Sequence, residues 1–252
     1  MLNPRVIPCL ILRNGGLVKS VKFKDFRYIG DPVNAVRIFN DKEVDELVFL
    51  DISCRALGAG PNFELLADIT SEAFMPFGYG GGIRNLDDIK KLYALGVEKV
   101  ILNTEAESNP HLVTQAAEIA GNSGVVVSID VKKSLFGRNT VVTRNGTKDT
   151  GIDPVQYARK MESLGAGEIL LNSINRDGTA QGYDIDLIAA IASEVSIPVV
   201  AVGGAGVTGH FREAIQAGAS AVGAGSMFVF HGKHHAVLIT YPNYDEIKNI
   251  FQ

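Results

Sequence analysis

The chain has 252 residues, 46% of them hydrophobic, and 24 Lys and Arg against 28 Asp and Glu leave a formal net charge of −4. That length suits one large α/β domain with an ample core, and the acidic balance speaks against nucleic acid or an anionic membrane surface as the main partner. The N-terminus, MLNPRVIPCLIL, has an early Arg and a Pro within a short apolar run, so it reads as neither a signal peptide nor a membrane span, and the expected location is the cytoplasm.

In chain order, short β-branched runs alternate with amphipathic stretches. The predicted strands are 5–11, 46–51, 76–79, 98–103, 124–130, 167–172, 198–202 and 220–225. Asp31-Pro32 and Asp153-Pro154 each set an N-capping carboxylate ahead of a proline at the first helical position, where the missing N–H costs nothing. Asn109-Pro110 reads as a similar start. Gly96, Gly165 and Gly218 fall where helices give way to strands, as helix-terminating glycines do. Strands alternating with helices of 10–15 residues imply parallel βαβ units. The expected fold is therefore a (β/α)8 TIM barrel, a single domain over 1–252, since no linker or low-complexity tract divides the chain. Cys9 and Cys54 have no metal or redox spacing and read as reduced core thiols. No cofactor and no metal site is expected.

The chain also repeats itself. Pro76 and Pro198 lie 122 residues apart (198 − 76), and the same offset joins Asp31-Pro32-Val33 to Asp153-Pro154-Val155, Glu46 to Glu168, Gly81-Gly82 to Gly203-Gly204, Gly96 to Gly218 and Thr104 to Ser226. A repeat this long is a doubled half-domain rather than a solenoid unit, with half-barrels expected at about 1–122 and 123–252. At the first strand of each half the register slips to 119 (130 − 11), which sets Ile11 opposite Asp130.

Barrel chemistry sits at the C-terminal ends of the strands. Those ends carry Asp51, Gly80-Gly81-Gly82, Asn103-Thr104, Asp130, Asn172-Ser173, Gly203-Gly204 and Gly225-Ser226. Glycines let backbone N–H groups approach a phosphate, and a helix N-terminus adds a favourable dipole. Two such sets on opposite sides of one mouth, near Gly82, Asn103 and Thr104 and near Asp177, Gly178, Gly204, Gly225 and Ser226, imply a long ligand with a phosphate at each end. The other reading is that these glycines only make tight βα turns.

The segments IPCL, DELVFLDI, GGGIR, SIDVK, TGID, GAGEILL, RDGTAQGYD, IPVVAVGGAG and AGASAVGAGS resemble the cyclase subunit of imidazole glycerol phosphate synthase, from Arg5 to about Phe228. The resemblance implies a (β/α)8 barrel that takes ammonia from a glutaminase subunit docked at its N-terminal face. The family cleaves a double-phosphate substrate with that ammonia and closes an imidazole ring, using one Asp on strand 1 and one on strand 5 as acid and base. Asp130 matches the second, but the first position holds Ile11, and a hydrocarbon moves no proton. A lone Asp130 in a wet mouth is expected to stay ionised. Asn172, Asn175 and Val202 depart from the family as well.

At the opposite end the resemblance holds. Arg5, Glu46, Lys99 and Glu168 match the family's ammonia gate, although such a ring also serves simply to close a barrel base. Lys19 matches a loop lysine that contacts substrate; with Lys22 and Lys24 it reads equally as part of a solvated loop. The C-terminal FVFHGKHHAVLITYPNYDEIKNIF, Ile11 and GGLVK resemble a paralogous branch from bacterial surface-polysaccharide clusters. That branch implies work beside a glutaminase-like partner and an ATP-dependent sugar amidotransferase in turning an N-acetyl into an acetamidino group. His231, His234 and His235 invite a metal, but with no carboxylate or Cys at ligand spacing they read as an exposed loop. Two functions stay open: an ammonia conduit in glycan amidation, or an active cyclase of histidine biosynthesis.

Overall fold

The computed structural model describes residues 4–56, 58–134 and 137–251. Eight parallel strands form the barrel: β1 Arg5–Arg13, β2 Leu47–Asp51, β3 Phe77–Gly80, β4 Lys99–Leu102, β5 Val125–Lys133, β6 Glu168–Ser173, β7 Val199–Val202 and β8 Ala221–Ala224. Each pairs with its neighbours in chain order, and β8 pairs back onto β1, closing the sheet. The longer helices are α1 Pro32–Asp41, α2 Phe63–Glu72, α3 Leu86–Ala94, α4 His111–Ala120, α5 Pro154–Ser163, α6 Ile185–Ala192, α7 Gly209–Gln216 and α8 Tyr244–Phe251.

Because strand side chains alternate between faces, two apolar bodies result. Outward residues such as Val6, Phe49, Phe77 and Val100 pack with Phe39, Leu66, Ile89 and Leu112 of the helices. Each such residue fully buried stabilises by roughly 1.5–3 kcal/mol. Inward residues Ile7, Cys9, Val48, Ile101, Val126, Leu170, Val200 and Ala221 fill the barrel itself. Leu50 and Val202 cover this inner body on the side of the strands' C-terminal ends.

The helix ends follow local chemistry. Asp31 accepts the N–H of Asn34 at 2.9 Å, and Asp153 accepts those of Val155 and Gln156 at 3.0 and 3.1 Å. Gly96 takes a φ of +96° after α3, where its N–H bonds the Tyr93 carbonyl at 3.0 Å and the Val97 N–H bonds the Leu92 carbonyl at 3.1 Å. This pairing satisfies carbonyls that a helix end leaves free. The expected start at Asn109-Pro110 is met to within one residue, with Pro110 in helical geometry (φ −58°, ψ −25°) but without the side-chain cap. Asn109 ends the short helix Thr104–Ser108, its N–H bonded to the Glu105 carbonyl at 2.8 Å, and α4 begins at His111 with no side-chain cap.

Two excursions go beyond the expected strands. After β1 the chain turns at Asn14-Gly15, both with positive φ, and runs back as Gly16–Val21, which pairs with Lys24–Gly30. After β5 the strand Asn139–Thr143 returns antiparallel and is joined by Lys148–Asp149. Each half-barrel thus raises a hairpin from its first strand over the mouth. The Asn-Gly pair is a strong hairpin signal and was readable in the sequence.

Candidate functional site at the barrel mouth

A cavity of about 470 Å³ opens at the C-terminal ends of the strands. Its apolar wall is Ile11, Leu50, Ile101 and Val202, and the hairpin after β1 adds Phe23 and Phe26. Ile11, on β1, is half-buried with its side chain on this cavity. Asp130, on β5 across the barrel, is 9% exposed. Its carboxylate accepts Asn103 Nδ2 at 3.1 Å and Asn172 Nδ2 at 3.3 Å. The expectation of a wet, ionised Asp130 is corrected: burial pushes its carboxyl up to about 7, the Asn172 and Asn103 amides oppose, and the charge of Asp177 adds to the rise. Desolvation, not a paired carboxylate on β1, is the larger cause.

Lys19 lies in the strand Gly16–Val21, not in an open loop, and is buried. Its Nζ donates to the Cys9 carbonyl at 2.7 Å. Burial lowers its pKa while Asp177 holds it up, and burial raises the Asp177 carboxyl while Lys19 opposes. The Asp177 carbonyl also accepts the Lys22 N–H at 3.0 Å, which pins the hairpin over the mouth. Lys22 and Lys24 side chains are exposed. A Cβ at Gly225 would run into Lys19 Nζ, so this glycine is required for the lysine to reach its place.

Gly82, Asn103 and Thr104 line one side of the cavity; Gly178, Gly204, Gly225 and Ser226 line the other with Asp177. Among the described residues, the N–H groups of Gly82, Thr104, Gly178, Gly204 and Ser226 make no loop or capping bond within the chain. Thr104 Oγ1 accepts the Arg144 N–H at 3.2 Å, tying the second hairpin to this rim. Asn175 is drawn into structure, its Oδ1 accepting the Lys133 N–H at 2.8 Å. Asp51 is turned to Ser53, whose N–H and hydroxyl it accepts at 2.8 and 2.7 Å.

At the other end of the barrel the four charged residues come together as a ring. Glu46 and Glu168, 3% and 5% exposed, each accept from both cations. Lys99 Nζ lies 2.9 Å from Glu46 and 2.7 Å from Glu168, and Arg5 spans the same two carboxylates. Between ring and mouth lies the apolar inner body. His231 and His235 belong to an exposed two-stranded hairpin, Phe230–His231 with Ala236–Val237, where the His235 ring packs edge-on to Phe230 at 5.5 Å. Sequence reasoning missed the aromatic rim of Phe23 and Phe26, and it placed Asn103 and Asn172 at the mouth without pairing them to Asp130.

No described helix is long and apolar enough to cross a membrane. A family model described as "Histidine biosynthesis protein" matches residues 5–235. The chain is 50% identical over 248 residues to a provisionally named imidazole glycerol phosphate synthase subunit hisF2 of Pseudomonas aeruginosa, covering 98% of this chain and 99% of that one. It is 47% identical over 253 residues to a provisionally named subunit HisF of Leptospira interrogans, covering both chains completely. To imidazole glycerol phosphate synthase subunit HisF of Streptomyces avermitilis it is 44% identical over 229 residues, 91% of each chain. By barrel, by mouth and by these matches, the chain belongs to the histidine biosynthesis protein family, among the HisF-like cyclase subunits of imidazole glycerol phosphate synthase.

Proposed function

We propose that this barrel receives ammonia at its N-terminal face from a glutaminase partner and conducts it to the mouth. There it serves acetamidino formation on a bacterial surface-glycan sugar, together with a sugar amidotransferase in the cytoplasm. The observation that carries this reading is the contrast between an intact ring of Arg5, Glu46, Lys99 and Glu168 and a mouth in which Ile11 stands where a catalytic Asp belongs. A complete ionic ring at one end with a hydrocarbon in place of a proton-transfer group at the other favours transport over cyclisation. The apolar inner body suits passage of neutral ammonia rather than ammonium. Full-length matches to relatives carrying a numbered subunit name, against 91% for the Streptomyces protein, accord with a divergent branch.

The mouth in this reading still holds a phosphorylated small molecule. Gly82, Asn103 and Thr104 grip one phosphate through backbone N–H groups; Gly178, Gly204, Gly225 and Ser226 grip the other, with Lys19, braced by Asp177, as the cation. The two half-barrels, 1–122 and 123–252, contribute one grip each.

A second reading, an active cyclase, draws on one observation: a carboxyl pushed up to about 7 is well matched to acid–base work near neutrality. It leaves the second proton-transfer group to be found among Lys19, Asp51 and Asp177. The test is to add this chain to its cognate glutaminase and follow glutamine hydrolysis and sedimentation. A complex with stimulated hydrolysis is the expected result; no complex and no stimulation overturns the proposal.

A further inference from the structure

The charges of this chain are unevenly placed. Three hairpins stand at the mouth: residues 14–30 after β1, residues 132–149 at the end of β5, and residues 230–237 beyond β8. Together they hold ten Lys and Arg against two Asp, a balance of +8. The rest of the chain, with 14 Lys and Arg (24 − 10) against 26 Asp and Glu (28 − 2), carries −12.

The hairpins form one surface. A Cβ at Gly146, in the second, would lie 3.0 Å from the Phe23 ring of the first, and the Arg27 guanidinium of the first lies 5.1 Å over the Phe230 ring of the third. Phe23, Phe26 and Asn145 line the cavity, so this surface borders the mouth. Eight of the ten cations are exposed, and none of the eight lines the cavity. Among the described residues, only Lys148 of the ten forms an ion pair, with Glu107 at 3.0 Å. A phosphorylated molecule seated inside therefore leaves this charge unanswered. Like charges gathered on one face repel one another, and a partner of opposite sign relieves that repulsion.

Apolar groups interrupt the charge. Of the ten large hydrophobic residues exposed among the described residues, five lie in these hairpins or next to them: Val21, Phe26, Tyr28, Val237 and Leu238. The two aromatic ones are held in place. Phe26 sits under the Arg13 guanidinium at 4.5 Å, and Tyr28 lies across Gly16, where a Cβ would come within 2.7 Å of the ring. Side chains fixed beforehand lose little freedom on binding, which suits interface anchors. The aliphatic members gain from burial against a protein, whereas a phosphate backbone offers them nothing apolar.

We propose that the three hairpins form a collar that docks a partner protein, by an acidic and partly apolar face, directly over the mouth. The proposal rests on the conduit reading for the identity of that partner, the sugar amidotransferase. Ammonia released from the mouth into water is diluted and protonated. A partner seated on the collar receives it first.

The test measures binding of the purified cognate amidotransferase to the complex of this chain with its glutaminase. Binding is expected, and a rise from about 50 to about 300 mM sodium chloride should weaken it by at least about tenfold. Reversal at four exposed lysines, Lys22→Glu, Lys24→Glu, Lys132→Glu and Lys133→Glu, should weaken it by at least about a hundredfold at the lower salt, and Gln at the same positions by less. Glutaminase stimulation, read at the opposite face, should persist in both variants and reports that they fold. Should the reversed chain lose it, the Gln variant decides. No binding by the unmodified chain, or equal binding by the variants, overturns the collar, and so does displacement of the amidotransferase by an equal concentration of single-stranded RNA. Stimulation without amidotransferase binding removes the collar and leaves the conduit reading standing; absence of stimulation by the unmodified chain removes the conduit.

Discussion

The two ends of the barrel handle buried charge in opposite ways. At the N-terminal end four charges alternate in sign, and both carboxylates touch both cations. At the mouth Asp130 has amides and no cation, while Ile11 presents a methyl-rich surface across from it. A ring that satisfies itself is finished structure. A buried carboxylate held only by neutral amides keeps its proton affinity high instead. The comparison teaches that the charge balance at one end of a barrel says little about the other, since the two ends lie on the same strands but have different surroundings.

The largest effect should come from breaking the ring. Lys99→Ala leaves Glu46 and Glu168 with Arg5 alone, and losing one partner of a buried ion pair costs about 3–5 kcal/mol. Chemical denaturation of the variant checks this. A loss under about 1 kcal/mol would show that the ring is hydrated and behaves like a surface network.

The next effect concerns the mouth and pH. Asp130 titrates near 7 in the folded chain against an ordinary value near 4, so the folded state holds the proton longer than the unfolded one. Stability contributed by this group is therefore full below pH 4 and is lost as pH rises through 7. Asp130→Asn removes that loss, flattening the stability curve between pH 4 and 7 by no more than about 4 kcal/mol. Parallel curves for the two proteins would place the carboxylate in contact with water.

A smaller effect tests the docking face. Phe74, in the connection leading to β3 at the N-terminal end, is 86% exposed. An exposed aromatic beside a binding face is a candidate anchor. Phe74→Ala should weaken the complex with the glutaminase partner by about tenfold while changing the chain's own stability by less than about 0.5 kcal/mol. Unchanged affinity would move the docking face elsewhere. The smallest effect is the control: Arg159 and Glu194 pair on the surface, and Arg159→Ala should cost well under about 1 kcal/mol.

Most of the barrel was legible in the sequence because its signals are local. Asp31 and Asp153 cap their helices as their position before a proline implies, and Gly96, Gly165 and Gly218 all take positive φ after helices. The predicted strands and the observed ones differ by at most three residues at their ends, the largest gap being the extension of β5 to Lys133. The hairpins were not legible in the alternation of strand and helix, because they are antiparallel excursions from it; Asn14-Gly15 was the available signal. At the site, the meeting of Arg5, Glu46, Lys99 and Glu168 was implied by the family resemblance, and the four do come together. The state of Asp130 did not. Its pKa depends on depth and on Asn103, Asn172 and Asp177, three residues from other strand ends, and no pattern along one strand encodes that surrounding. Asn109 precedes α4 as expected but lacks the capping bond, because the short helix Thr104–Ser108 ends on it.

The central claim is that the mouth has lost cyclase chemistry while keeping its ligand grips. The most direct measurement supplies the cyclase substrate of the family with ammonium salts to the purified chain, alone and with its partner, and follows imidazole glycerol phosphate. Asp130 can act as acid or base but not as both, and general acid–base catalysis by a missing partner typically supplies about 10²–10⁴-fold. The account predicts no turnover above background, and only a weak gain from Ile11→Asp, because Asn172, Asn175 and Val202 also shape the site. Turnover by the unmodified chain within about tenfold of an ordinary family member would contradict it and assign the second proton transfer to Lys19, Asp51 or Asp177.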